Sequence, residues 1–458
     1  MRILHVSTWD THCGIATYCG NLVRALDRRG MRNDVYPLAP HLWQSLVAGD
    51  VTDLLADIAA ESRGYDLVHV QHEHGLFGHA VSYKAAARNY GTMLRLIRTT
   101  GRPVVTTFHT GPLGSLPPGS RLSVAGAVKA WGRRRAWRRH VSRNFGPRSA
   151  GPVAIAHTLV TRRALIRRGI PAASVHVIPH GCLPHRDLRI DALSAKGRLG
   201  LPASSVLLTM FGFVGGYKGH DIAVRALARL PERFHLAICG GAHPESQDRT
   251  LAAVIRLMKK LGLEQRVTIT GWLPEGAADL YAAATDVCLA PYRDEALSAS
   301  GAITWALASG RPIVASRIAA FQAICREQPC MLLATPGMVD EFAWAVEKTV
   351  TDREFSHGLV TAARRYTQAH SWDETARRTH ELYTALVAGT AAATAGVGRG
   401  RVVARATGGE AEGETDGAAA VDAAAATLDE AAGEPTLTLV HDGRGRDRGS
   451  RERLRAAG

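Results

Sequence analysis

Residues 206–221 constrain this chain more than any other stretch. The strand-length run Val206-Leu207-Leu208-Thr209-Met210-Phe211 empties into Gly212-Phe213-Val214-Gly215-Gly216-Tyr217-Lys218-Gly219, and apolar residues then recur at helical spacing (Ile222, Ala223, Ala226, Leu227, Leu230). A buried parallel strand feeding a helix through such a turn aims backbone N–H groups and one lysine at a single point. That point suits an anion, most simply a phosphate. An ordinary strand–loop–helix with a surface lysine fits the same residues. The surroundings decide between the two.

The same alternation runs through the whole chain. Strand-length apolar runs at residues 3–8, 35–38, 67–70, 103–110, 152–156 and 175–179 are separated by helix-period segments. The first run leads through Asp10-Thr11-His12-Cys13-Gly14 into a helix with Ile15, Tyr18, Cys19, Leu22, Val23 and Leu26 on one face. Residues 185–204 are polar and carry no strand. A second series follows at 206–211, 235–239, 266–270, 286–290, 312–316 and 330–334. This pattern predicts an α/β chain of two doubly wound domains, each with a parallel sheet covered on both faces. The expected boundaries are 1–186 for the first domain, 187–204 for a linker and 205–370 for the second. A helix opened by Ser371-Trp372 is expected over 371–388, and a disordered Ala/Gly-rich tail over 389–458.

Charge narrows the partners. The chain has 56 Lys and Arg against 41 Asp and Glu, a net +15, which favours nucleotides, anionic lipid or nucleic acid. Much of the excess sits in 121–143, where Arg133, Arg134, Arg135, Arg138, Arg139 and Arg143 are interleaved with Trp131 and Trp137. No nucleic-acid-binding module surrounds this helix, so nucleic acid is not an expected partner. Two readings of it stay open: a solvated charged face, and a helix lying on an anionic membrane. No apolar run is long enough to span a bilayer, and the opening residues read as a strand rather than a signal peptide. A cytoplasmic protein is therefore expected, peripheral to the inner face of the plasma membrane if 121–143 binds lipid. The seven cysteines form no Cys-x-x-Cys pair and read as reduced thiols, several of them small buried hydrophobes.

Ligands of open α/β sheets bind beyond the carboxyl ends of the strands. Four stretches sit there: Gly14 and its helix, His109 at the end of 103–110, the Gly212–Gly219 turn, and Ser298-Ala299-Ser300-Gly301 before a helix. Two glycine-led helix N-termini, one per domain, can clamp a diphosphate across a cleft. Neither carries a Gly-x-Gly-x-x-Gly with a following acidic residue, which disfavours a dehydrogenase, and the absence of a Walker-type motif argues against an NTPase. His69, His72, His74 and His79 resemble a metal cluster on paper. Strand neighbours point to opposite faces, however, and no cysteine or carboxylate completes the set, so a histidine-rich loop lining the cleft is expected instead of a metal site.

Taken in order, Cys13-Gly14-Ile15-Ala16-Thr17-Tyr18, Val70-Gln71-His72-Glu73-His74-Gly75, Phe108-His109 and Val177-Ile178-Pro179-His180-Gly181 form a first set of motifs. Gly212 through Lys218-Gly219, Ala284-Thr285-Asp286-Val287 with Ala290-Pro291-Tyr292, and Gly310-Arg311-Pro312-Ile313-Val314-Ala315-Ser316 form a second. Over about residues 1–388 the chain resembles the retaining glycosyltransferases of family 4, which have the GT-B architecture of two facing Rossmann-like domains.

The resemblance implies hexosyl transfer from a nucleotide-diphosphate sugar, a co-substrate rather than a cofactor, to a hydroxyl of a glycan, lipid or small metabolite. No metal is expected, because the protein supplies the cations and the sequence has no Asp-x-Asp motif. By the same resemblance His109 and Lys218 are the catalytic candidates: His109 hydrogen-bonds a sugar hydroxyl and Lys218 neutralises the departing phosphate. Gly14, Gly212, Ser300 and Gly301 join Lys218 around the donor diphosphate, and the helix from Trp372 crosses back onto the first domain.

Two departures stand out. Phe213 occupies a position where the family usually has arginine, and the family's Glu-x7-Glu pair aligns with Leu297 and Trp305. Asp294 and Glu295, slightly upstream, are candidates for the sugar and ribose contacts. The missing pair keeps open a non-catalytic nucleotide-sugar or glycan-binding homologue, and a GT-B epimerase acting on the nucleotide sugar itself.

Overall fold

The structure is a computed structural model that describes residues 1–38, 48–78, 82–110, 124–145, 151–184, 188, 190–242, 249–293 and 299–399. The first half of the chain alternates as its periodicity requires. β1 (Arg2–Ser7) is followed by α1 (Gly14–Asp27), β2 (Arg32–Pro37), α2 (Ala48–Glu61), β3 (Leu67–His72) and α3 (Tyr83–Thr99). Then come β4 (Val104–Phe108), α4 (Val124–His140), β5 (Val153–Ala156), α5 (Leu159–Arg167) and β6 (Val175–Val177). The six strands pair in the order β2-β1-β3-β4-β5-β6, every pair parallel.

The second half opens with α6 (Ala192–Arg198), β7 (Val206–Phe211), α7 (His220–Leu227), β8 (Phe234–Cys239), α8 (Thr250–Lys260) and β9 (Val267–Ile269). It continues through α9 (Glu275–Ala284), β10 (Val287–Ala290), α10 (Gly301–Ala308), β11 (Ile313–Ser316), α11 (Ala319–Glu327) and β12 (Leu332–Ala334). α12 (Val339–Thr351), α13 (Arg353–Ala369) and α14 (Trp372–Arg399) complete it. The second sheet is also parallel, in the order β12-β11-β10-β7-β8-β9. In both sheets the strand order reverses beside the first strand, between β1 and β3 and between β7 and β10. Crevices open at such switch points because neighbouring connections leave toward opposite faces.

Each sheet carries an apolar cluster on both faces. On the first, α2, α3 and α4 cover one side, through residues such as Leu55, Tyr90, Leu94 and Trp137. α1 and α14 cover the other, where Tyr18, Leu22 and Leu26 pack with Trp372, Ala376 and Tyr383 over Ile3, Leu67, Val105 and Ile155. Trp372 and Tyr383 are almost fully buried, and each contributes about 2–3 kcal/mol by leaving water. The chain passes between the sheets twice, side by side. Cys182 donates its backbone N–H to His370 O (2.7 Å), and Trp372 donates its own to Cys182 O (3.3 Å). Residues Met1–Gly400 form one compact unit.

Two sequence expectations change, and the basic helix divides its tryptophans. The stretch expected as linker contains α6, capped by Asp191 Oδ1 on Ser194 N (2.9 Å). Ala195 packs with Leu207, Ala237 and Ala284, and Lys196 Nζ lies 2.7 Å from Asp286 Oδ2. A helix that buries little more than one alanine has almost no apolar stripe to detect. The last helix does not stop at 388 but runs to Arg399. Its alanines show no periodicity yet are the best intrinsic helix formers. Residues from 400 onward lie outside the described residues. Of the two tryptophans of the basic helix, Trp131 is 63% exposed, whereas Trp137 is fully buried and belongs to the core of the first sheet.

Candidate functional site

The crevice beyond β7 and β10 is built by the glycine turn. Gly212 has φ +90° and Gly219 φ +69°, a region that favours glycine. Gly219 also lies so close to the carbonyl of Pro291 that a Cβ would stand 2.0 Å from its oxygen. The segment after β10 pins the turn from outside. Arg293 N donates to Tyr217 O (2.7 Å), and the Arg293 guanidinium pairs with Asp221 at 2.7 Å.

Lys218 is thereby held inward, 6% exposed. A Cβ on Gly212 would meet Lys218 Nζ at 2.8 Å and the Ala302 methyl at 3.7 Å, so the ammonium group, Gly212 and the first turn of α10 converge. Among the described residues no carboxylate pairs with Lys218, and burial lowers its pKa to about 8. Ser300 caps α10, its Oγ accepting from Ile303 N (3.4 Å) and lying 3.3 Å from the Tyr292 hydroxyl. The leading N–H groups of this helix point out of its end, as in any helix. Cationic charge and free donors thus share one small volume.

The first sheet supplies the opposite wall. α1 starts at Gly14 beyond the β1 switch point, and a Cβ placed on Gly14 would meet nothing within 4 Å. His109 follows β4 and is partly exposed. Its Nε2 lies 2.9 Å from Gln71 Oε1, and the edge of Tyr18 meets its ring at 4.7 Å between centroids. Burial, then the neighbouring histidines His157 and His180, hold His109 well below the ordinary histidine pKa, so its imidazole is neutral near pH 7. The two walls meet at rings. His12, in the loop before α1, lies 4.3 Å from Trp272 beyond β9, and Trp272 stacks at 5.5 Å on Phe213 of the glycine turn.

The structure thus gathers Gly212, Lys218, Ser300 and Gly301 on one wall and Gly14 and His109 on the other. Asp294, Glu295 and Leu297 lie outside the described residues. Trp305, aligned with the second missing glutamate, packs its ring 4.0 Å from that of Phe211.

The histidine-rich stretch does not line the cleft as expected. His69, His72 and His74 are all buried. His69 faces α14, while His72 is enclosed by Phe77, Tyr90 and Phe108 on the other side of the sheet; His79 lies outside the described residues. Among the described residues no three His, Cys, Asp or Glu side chains gather as metal ligands do.

Sequence reasoning singled out neither Gln71 nor Tyr383 as site residues. Gln71 carried a usable signal: it shares the strand parity of His69.

Away from the cleft, Trp131, Arg134, Arg135, Arg138, Arg139 and Arg143 line a surface groove of about 750 Å³. The Arg135 guanidinium lies over the Trp131 ring at 5.6 Å. Among the described residues no helix is long and apolar enough to cross a membrane.

Residues 45–186 match the family model Glycosyltransferase Family 4, and residues 206–352 match Glycosyl transferases group 1. Among curated proteins, the chain is 28% identical over 248 residues to a D-inositol 3-phosphate glycosyltransferase of Kribbella flavida, covering 50% of this chain and 54% of that protein. It is 25% identical over 357 residues to one of Rhodococcus jostii, covering 75% of each. The chain spans little more than half the length of several of the curated relatives it matches.

Among solved structures, HepE of Anabaena in complex with UDP has a TM-score of 0.61 at 18% identity, over 84% of this chain and 100% of that one. A sucrose-phosphate synthase of Thermosynechococcus elongatus has 0.63 at 20%, over 84% and 99%. At these identities the likeness establishes a shared two-domain α/β fold.

Proposed function

We propose, from the premise that the chain belongs to the glycosyltransferases of group 1 and family 4, that it transfers a hexose from a nucleotide-diphosphate sugar to an acceptor hydroxyl with retention of anomeric configuration. The observation that carries this reading is Lys218, a buried ammonium group held against Gly212 and the start of α10 with no carboxylate partner among the described residues. A desolvated cation is costly until an anion completes it. The departing nucleoside diphosphate is that anion.

As the bond from the sugar's anomeric carbon to the diphosphate oxygen breaks, negative charge grows on that oxygen. Lys218 Nζ and the N–H groups at Gly301 and Ala302 meet it. One preorganised donor of this kind is typically worth about 3 kcal/mol of transition-state stabilisation. The acceptor oxygen bonds to the same face of the anomeric carbon and yields its proton to the leaving phosphate. His109, neutral and fixed by Gln71, orients a sugar hydroxyl. Lysine and helix terminus supply the positive charge, so no metal is required.

Uridine is the first base to test, because the HepE structures hold UDP and UDP-glucose. The acceptor is a glycan, lipid or small metabolite, and the names of the curated relatives put a phosphorylated polyol first among those to try. UDP, GDP and ADP are screened by thermal shift, and release of the diphosphate from the matching sugar nucleotide is then followed with and without acceptor. Transfer predicts a shift and acceptor-dependent release. Turnover at the wild-type level in Lys218→Ala removes the lysine from the mechanism.

The Trp305 ring packed on Phe211 favours a second reading, a homologue that binds the nucleotide sugar without transferring it. It predicts a thermal shift with no release. An epimerase, in contrast, would interconvert sugars with no acceptor consumed. For the arginine groove on α4 we infer contact with an anionic membrane, supported by the exposed Trp131 among its arginines. Flotation with liposomes containing phosphatidylglycerol, against phosphatidylcholine alone, tests it.

A further inference from the structure

The face of the first sheet under α1 and α14 begins apolar, with Ile3, Leu67 and Val105, and turns polar two residues further along. In register, His5 of β1 stands opposite His69 of β3, and Gln71 stands opposite Thr107 of β4. All four are fully buried. A buried polar atom left unpaired costs about 1–3 kcal/mol. His5 pairs outside the row, its Nε2 3.0 Å from Asn33 Oδ1, whereas His69, Gln71 and Thr107 satisfy one another.

His69 Nε2 lies 2.8 Å from Thr107 Oγ1 and 3.5 Å from Gln71 Nε2. His69 Nδ1 pairs with the hydroxyl of Tyr383 on α14. Gln71 Oε1 lies 2.9 Å from His109 Nε2. The row therefore runs without a break from the helix that crosses back over the first sheet to the histidine in the cleft.

Donor and acceptor chemistry gives the row a direction. With its amide nitrogen, which only donates, toward His69 at 3.5 Å, Gln71 makes His69 Nε2 an acceptor, shared with a donating Thr107 hydroxyl at 2.8 Å. This arrangement puts the His69 hydrogen on Nδ1, facing Tyr383. With its nitrogen committed to His69, Gln71 turns its oxygen to His109, and that oxygen only accepts. His109 consequently carries its hydrogen on Nε2 and a bare lone pair on Nδ1, which has no hydrogen-bond partner among the described residues.

We propose that Gln71 and Tyr383 are positioning residues for His109: the Tyr383–His69–Gln71 row fixes its Nε2–H tautomer and leaves Nδ1 to accept a hydrogen bond from a hydroxyl of the bound sugar. The kinetic part of this inference rests on the transferase reading. The tautomer does not.

The test labels histidine with 15N and reads the ring nitrogens of His109, assigned with His109→Gln. Wild type shows the Nε2–H form. In Gln71→Leu that form gives way to a mixture, and Gln71→Glu, which keeps an accepting oxygen, restores it. Tyr383→Phe loses a single buried oxygen, keeps the packing of α14, and weakens the preference. If the wild type transfers sugar, Gln71→Leu lowers kcat on the order of 10- to 100-fold, as misplacing an orienting group does, with donor KM within about twofold. An unchanged His109 tautomer in folded Gln71→Leu and Tyr383→Phe overturns the inference. Tautomer changes in a protein that transfers no sugar support the positioning row and defeat the transferase reading instead.

Discussion

Replacing Lys218 by methionine should make the ligand-free protein more stable. The ordinary lysine pKa of 10.5 is lowered to about 8 by burial alone, and at about 1.4 kcal/mol for each tenfold the charged form costs the empty site about 3 kcal/mol at pH 7. Methionine fills similar space and needs no solvation, so Lys218→Met recovers up to that amount. The pH dependence identifies the cause. Between about pH 8 and 10.5 the unfolded chain binds the lysine's proton and the native chain does not, so wild-type stability rises with pH across that window. The advantage of Lys218→Met is therefore full below pH 8 and fades toward 10.5.

Adding nucleoside diphosphate reverses the ranking. A saturating anion at 1,000 times its Kd stabilises the wild type by about 4.1 kcal/mol, more than the variant gains when ligand-free, and does little for the variant. Thermal and urea midpoints for both proteins at pH 7, 8.5 and 10, with and without UDP, supply the comparison. A Lys218→Met protein less stable than wild type at pH 7 without ligand rules out a destabilising buried charge at this position. An equal climb of its midpoint with UDP refutes the lysine's part in holding the diphosphate.

Other residues give shorter tests. Gly212→Ala forces a φ of +90° on alanine and sets a methyl 2.8 Å from Lys218 Nζ. The backbone cost is about 1–2 kcal/mol, and titration calorimetry should show diphosphate affinity down by about tenfold or more as the ammonium group is displaced. Trp137→Ala opens a cavity in the first core and should cost about 3–5 kcal/mol in urea unfolding. Trp131→Ala, at a 63% exposed position, leaves that midpoint unchanged and weakens liposome flotation. Burial lowers His5 and His180 to about 4 and His157 to about 3. The unfolded chain therefore takes up protons first as pH falls from 6.5, and urea midpoints should drop between pH 6.5 and 4, less steeply in His157→Gln.

Much of the cleft was legible because its parts are local. A strand followed by glycines at 212, 215, 216 and 219 admits few backbone paths, and one of them presents Lys218 at a helix start. The same holds for Gly14 after β1 and for Ser300 before α10. The histidines of β3 were harder. Period-2 alternation separates His69 from His72 but does not say which face meets α14 and which meets α3, so nothing in the sequence marks these histidines as core rather than as the cleft lining expected of them. Trp131 and Trp137 are six positions apart on one helix, and only packing against Phe108 distinguishes the buried ring from the exposed one.

Residue order determined the strands, the helices that carry an apolar stripe and the glycine turns of this protein, since each depends on neighbours a few positions away. Tertiary structure alone decided that Lys218 is buried without a carboxylate partner among the described residues, that Trp305 lies on Phe211, and that Tyr383 reaches His109 through His69 and Gln71. Those facts join positions up to 314 residues apart. Short-range periodicity fixes which face a side chain takes but carries no information about what packs against that face.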